Sequence, residues 1–117
     1  MATNDHLRTR ETADAYSAFK ATGALENFCP LCEKPPLQEF KFWKIILNDF
    51  PYDLVASKHD MVVPLRHTTE HELTAEEREE LYEIKYGSLQ EYDIIVEATH
   101  RNKSIPEHFH LHLVNLK

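Results

Sequence analysis

The sequence predicts an α+β domain with a mostly antiparallel sheet. Three observations predict it. The local patterns run helix, loop, strands, helix, strands, an order in which helices are not interleaved one-for-one with parallel strands. Thr74-Ala75-Glu76-Glu77 has the form of a capping box, which opens a helix midway along the chain. Near the C-terminus, His108-Phe109-His110-Leu111-His112-Leu113-Val114 alternates imidazole with large apolar side chains at the period of a β-strand. A chain of 117 residues is the size of one domain. Its hydrophobic fraction of 42% and charged fraction of 28% are those of a soluble globular protein.

The elements follow in order. Residues 5–22 carry weak helical periodicity through Ala15, Tyr16 and Phe19, and Gly23 is a stop signal. Residues 26–38 hold both cysteines and Pro30, Pro35 and Pro36, and read as a loop with a knuckle. Residues 39–48 are aromatic and β-branched, which predicts one strand with both faces partly covered. Asn48-Asp49-Phe50-Pro51-Tyr52-Asp53 reads as a turn. Residues 61–65 form a short apolar strand, preceded by His59 and ended near Pro64. The helix after the capping box turns Leu81, Ile84 and Leu89 inward and its acidic residues to solvent. Residues 92–98 alternate as a strand, residues 99–106 are a polar loop, and the histidine strand runs to the end. Residues 1–25 read as an N-terminal helical extension and residues 26–117 as the main domain.

Composition narrows the function. A net charge of −7 argues against a protein that tracks phosphates along nucleic acid, so no nucleic-acid partner is expected. An anionic ligand would have to be caught by local groups against the global field. No stretch approaches 18 apolar residues and the N-terminus has no apolar signal core, so no membrane partner and a cytoplasmic location are expected. In that compartment Cys29 and Cys32, two residues apart, suggest a metal knuckle or a redox pair more than a structural disulfide. The βαβ context of a thioredoxin-like pair is absent; plain free thiols are the alternative.

On a strand, His108, His110 and His112 share one face while Phe109, Leu111 and Leu113 share the other. Imidazole suits proton transfer, metal ligation and nucleophilic attack near neutral pH. Outer members of such a trio stand about 13 Å apart along the strand, whereas metal–nitrogen bonds are about 2 Å. The trio therefore converges poorly on one ion. A division of labour, with one histidine on a metal and another in chemistry, is more economical. His6, His71 and His100 read as surface histidines.

The alternation from His108 to Val114 resembles the motif of the histidine triad superfamily. Further segments carry the likeness. His59-Asp60-Met61-Val62-Val63-Pro64-Leu65-Arg66-His67 is similar to the family's histidine, apolar strand, proline and second histidine. Leu73-Thr74-Ala75-Glu76-Glu77 is similar to its helix start, and Phe28-Cys29-Pro30-Leu31-Cys32 to the zinc knuckle of its metal-containing members. Asn48-Asp49-Phe50-Pro51 looks more like the galactose-1-phosphate uridylyltransferase branch. The resemblance covers roughly residues 28–114.

It implies a histidine-triad-like fold: an antiparallel sheet with a central helix packed on it, here with an extra N-terminal helix. It implies His110 as a nucleophile that attacks the α-phosphorus of a nucleotide derivative and forms a covalent nucleotidyl-histidine. His112 would contact the phosphate or leaving group, and His59 would sit beside the triad and help set its protonation. Structural zinc would be held by Cys29, Cys32, His67 and His108, and Asn48 would reach a ribose. The expected partners are a small nucleotide and a second copy of the chain. Hydrolysis is favoured over transfer because the third triad position is histidine rather than glutamine.

One departure matters. Many members have a Gly-rich turn before the triad, whereas this chain reads His100-Arg101-Asn102-Lys103-Ser104-Ile105-Pro106-Glu107. Asn102, Lys103 and Ser104 offer donors and a cation in its place. A non-catalytic nucleotide-binding or interaction module of the same fold is the alternative. A metalloenzyme built around an open His-x-His metal is a third class.

Overall fold

The computed structural model describes residues 4–27 and 29–117. Residues 1–3 of the N-terminal extension and Phe28 of the cysteine motif lie outside the described residues. Five strands are formed by Gln38–Glu39 (β1), Trp43–Leu47 (β2), Ala56–Pro64 (β3), Ile94–Val96 (β4) and Leu111–Leu116 (β5). They make one sheet in the order β1-β2-β3-β5-β4, and every neighbouring pair is antiparallel. The α-helices are Arg10–Ala21 (α1), Ala24–Asn27 (α2), Pro30–Glu33 (α3) and Ala75–Lys85 (α4). The α+β reading and the antiparallel sheet therefore hold.

The period-two pattern of β3 and β5 sorts the side chains onto two faces. Val62, Leu111 and Leu113 join Trp43, Ile45 and Phe109 in one buried cluster, closed by Leu73, Ile84, Leu89 and Tyr92. That is the face on which α4 packs. Met61 and Val63 point the other way, into a smaller cluster with Ile46, Leu31 and Ile105. The register pairs Met61 with His112 and His59 with Val114, so the histidines belong to this second face. Leu113 is fully buried, which stabilises the fold by roughly 1.5–3 kcal/mol.

Local chemistry sets the helix ends. The Thr74 hydroxyl accepts the Glu77 N–H at 3.1 Å and the Glu77 carboxylate accepts the Thr74 N–H at 2.8 Å, so the capping box is complete. Thr9 caps α1 by accepting the Thr12 N–H at 3.3 Å. Gly23 follows α1 with φ of 78°, a conformation that glycine adopts without steric cost.

The structure corrects several boundaries. The predicted loop over 26–38 contains α3, with Pro30 in the first turn where its missing N–H costs nothing. The predicted strand over 39–48 is broken into β1 and β2 by a turn in which the Phe40 N–H donates to the Trp43 carbonyl at 2.7 Å. The Lys41 and Phe42 N–H groups turn away to the Glu80 carboxylate, at 3.1 and 2.6 Å. β3 begins at Ala56 rather than residue 61, because β5 pairs with it from Ala56 to Val62. β4 keeps only three residues of the predicted 92–98, with Ile94 and Ile95 exposed on a sheet edge. His108 and His110 precede the regular ladder of β5. Leu89 is buried, but from a single 3-10 turn beyond α4. Glu77 is no solvated acid: it is 2% exposed and paired with Arg66. No helix among the described residues is long and apolar enough to cross a membrane.

Candidate metal centre and the adjoining histidine cleft

Three separate segments bring Cys29, Cys32, His67 and His108 together. Cys29 precedes α3 as its N-cap residue and Cys32 lies within it, and Pro64 ends β3 so that the chain turns to present His67. The Phe109 N–H donates to the Thr68 carbonyl at 2.8 Å, which ties the histidine segment beside residue 67. The four ligand atoms lie within 4.8 Å of one another. His67 Nδ1 and His108 Nδ1 are 3.2 Å apart. Cys32 Sγ stands 3.3 Å from each of them, and Cys29 Sγ is 3.4 Å from His108 Nδ1.

Tetrahedral zinc bonds of ordinary length would set its ligands about 3.3 Å apart for two nitrogens and about 3.6 Å apart for nitrogen and sulfur. The observed spacings match this closely. The far side of the His108 ring fits as well, because its Nε2–H donates to the Pro64 carbonyl at 3.1 Å and leaves Nδ1 with the lone pair a metal needs. Burial, reinforced by Cys29, pushes the Cys32 thiol up to about 11. Burial pulls the His108 imidazole down to about 4, against the opposing bond to Pro64. A divalent cation would displace the thiol proton and find a neutral imidazole ready. The donor set and its spacing therefore fit a closed, four-coordinate metal.

On the same sheet face, beside this cluster, runs a cleft of about 680 Å³ counted out to its open mouth. His110 and His112 line it with Asn48, Lys103 and Ser104. Hydrogen bonds define the tautomers. His110 Nδ1–H donates to the His108 carbonyl at 2.9 Å, so Nε2 carries the lone pair. His59 Nδ1 accepts the Tyr52 backbone N–H at 2.9 Å, so its proton sits on Nε2. That proton goes to His112 Nδ1 at 2.9 Å. His112 then carries its own proton on Nε2, 3.3 Å from the Tyr52 hydroxyl. Asn48 Oδ1 accepts the Phe50 N–H at 2.8 Å. This orientation aims Nδ2 at His59 Nε2 at 3.2 Å, a contact between two donors that positions the ring without bonding it.

These imidazoles are neutral at pH 7. Burial lowers His59 to about 4, and the Arg8 charge adds to the effect. Burial lowers His112 to about 2, helped by His110, His59 and Arg8. Burial also lowers His110, while the bond to the His108 carbonyl works the other way. A neutral imidazole with a free nitrogen in a cleft is a nucleophile or a base.

Of the residues singled out from sequence, Asn48, His59, Lys103, Ser104, His110 and His112 are brought to or against this cleft. Asn102 lies on a 3-10 turn over His100–Asn102, outside the cleft lining. His6, His71 and His100 are exposed. Sequence reasoning missed Arg8, Tyr16, Phe19 and Tyr52, which also line the cleft. Tyr52 had a faint signal as the aromatic residue beside Pro51. Arg8 had none, since nothing local distinguishes it from a surface cation. No protein-family model matches the chain, and no curated protein is similar to it.

Proposed function

We propose that this chain is a histidine triad protein that cleaves nucleotides at the α-phosphorus, as a hydrolase or nucleotidyl transferase with His110 as nucleophile. The observation that carries this reading is the 2.9 Å bond from His110 Nδ1–H to the His108 carbonyl, which frees Nε2 in a cleft. Nε2 attacks phosphorus, the bond to the leaving group breaks, and a phosphorus–nitrogen bond replaces it. His112 Nε2–H is a hydrogen-bond donor to the departing atom, which takes its proton from water, and the His59 Nε2–H behind it holds His112 in that tautomer. Water or an acceptor then takes the nucleotidyl group and restores the free imidazole. Asn48, Lys103 and Ser104 are the polar groups available to ribose and phosphate in place of a Gly-rich turn.

The four-residue cluster would hold structural zinc, which cross-links α3 to the two histidine segments. His108 serves both parts. Its ring faces the metal cluster and its carbonyl orients the nucleophile. The same reading takes the protein as a cytoplasmic homodimer. The exposed Ile94 and Ile95 on edge strand β4, with exposed Tyr82 on α4 and Tyr86 just beyond its end, supply apolar surface for that contact.

The test is turnover of adenosine phosphoramidate, a dinucleoside polyphosphate and a nucleotide sugar by native protein and by His110→Ala. Nucleoside monophosphate released by the native protein alone is the expected result. No release from folded, zinc-loaded protein would overturn it in favour of a nucleotide-binding module.

A further inference from the structure

Cys29 and Cys32 are the two cysteines of the chain, and a metal would use them only as ligands. Their placement allows a second bond. The Cys32 N–H donates to the Cys29 carbonyl at 3.2 Å, which closes a turn between them. The ends of such a turn stand less than about 7 Å apart between Cα atoms, and a disulfide spans about 4.4–6.8 Å. Both sulfurs already belong to a group of ligand atoms that lie within 4.8 Å of one another. Rotation of the two side chains can close the remaining gap.

The pair is also within reach of solvent. Cys32 is exposed and Cys29 is half-buried, whereas His108 behind them is fully buried. The cluster is therefore open at Cys32 and His67 and closed at His108. A metal-held sulfur is a thiolate, and oxidation of cysteine follows thiolate character and exposure.

The two residues between the cysteines, Pro30 and Leu31, line the histidine cleft. Leu31 is buried and packs with Ile46, Met61, Val63 and Ile105. Whatever happens at the two sulfurs happens at either end of a piece of the cleft wall.

We propose that Cys29 and Cys32 form a reversible oxidation switch, in which a hydroperoxide converts the metal-binding pair to a disulfide and removes the tie between this turn and the His67 and His108 segments. The exposed Cys32 thiolate attacks one oxygen of the peroxide. The O–O bond breaks, a sulfur–oxygen bond forms, and the departing oxygen leaves as water once protonated, giving a sulfenic acid. The Cys29 thiolate then displaces hydroxide from that sulfur, which takes a proton and leaves as a second water. Two thiolates, one hydrogen peroxide and two protons thus give one disulfide and two waters; each sulfur loses one electron and each oxygen gains one. His67 and His108 remain, two ligands where a closed site needs four. This rests on the cluster holding zinc and is independent of the nucleotide reading.

Hydrogen peroxide added to zinc-loaded native protein tests it, followed by intact mass, by a chromogenic zinc chelator and by melting temperature. The expected result is a loss of about 2 Da in a single chain, release of the one equivalent of zinc and a lower melting temperature. Dithiothreitol with added zinc should reverse all three. Unchanged mass with zinc retained would overturn the switch and leave the zinc reading standing. A gain of about 32 Da for each sulfur, which is a sulfinic acid, would overturn it too, because that product is not reversed by thiols. A disulfide between two chains would show that the pair does not close on itself, and would also count against it. A disulfide that forms with the melting curve unmoved would overturn the coupling to the cleft wall. Reduced protein that never takes up zinc would remove the zinc reading and the switch with it, even where the disulfide forms.

Discussion

His59 and His112 enter the fold as neutral rings joined by one N–H···N bond, and that makes the protein acid-sensitive. An unfolded imidazole titrates near 6.5, whereas burial holds His59 at about 4 and His112 at about 2. Below pH 6.5 the unfolded chain takes up protons that the folded chain refuses. Stability is therefore fully present above that value and falls as the pH drops towards 4. His59 alone accounts for about 3 kcal/mol across that window. Denaturant midpoints of zinc-loaded protein, taken from about pH 7.5 to about pH 4.5, measure the slope. His59→Gln should flatten it by close to one proton, with acid loss of metal common to both proteins. An unchanged slope would show that His59 is solvated. At this scale the sequence was partly legible. The alternation of His108, His110 and His112 with apolar residues told which faces they share. It did not tell which nitrogen of each ring carries the proton, because the Tyr52 N–H and the His108 carbonyl decide that across the fold.

Among the elements, α4 is held at its N-terminus by more than its cap. Glu77 closes the capping box and also receives Arg66 Nε and Nη2 at 3.0 and 2.9 Å, a bidentate pair. Those bonds, with the cap, hold the Glu77 carboxyl down at about 2. Because Arg66 adjoins His67, the pair fixes the helix and a residue of the candidate metal cluster together. Glu77→Ala removes the carboxylate half of the capping box and strands the arginine, and is expected to cost roughly 2 kcal/mol or more. It should also weaken zinc binding, which competition with a chromogenic chelator would read. Thr74→Ala breaks the cap but leaves the ion pair, so it should lower the melting temperature and spare the metal. Equal metal loss in both variants would detach His67 from Glu77. The capping box was legible because its signal lies within four residues. The burial of Glu77 was not, because its partner comes from another segment. The lengths of β3 and β4 were hidden for a related reason: strands end where their partners end, and β5 was far away in sequence.

At the scale of the molecule, a metal in the cluster would tie the turn at residues 29–32 to the His67 and His108 segments, which β3–β5 pairing and the Phe109–Thr68 bond already hold side by side. The turn at residues 29–32 meets the sheet through a small apolar cluster around Leu31 and through the Lys44 ammonium, which donates to the Cys32 and Lys34 carbonyls at 3.2 and 2.8 Å. That is little to hold one wall of the cleft, to which Pro30 and Leu31 both contribute. Zinc in the cluster would close the loop from residue 29 to residue 108, and its binding free energy would become folding free energy. The consequence would reach His110, because the residue whose ring faces the metal cluster also gives the proposed nucleophile its hydrogen-bond acceptor. One equivalent of zinc is expected in purified protein by elemental analysis. Its removal by a strong chelator should lower the melting temperature and the rate of nucleotide cleavage together, with both restored on adding zinc back. Cys32→Ser should reproduce the chelated state, while His110→Ala should lose turnover and keep both zinc and stability. Activity that vanishes on chelation with the melting curve unmoved would mean that the metal takes part in the chemistry, and the site would then be an open one.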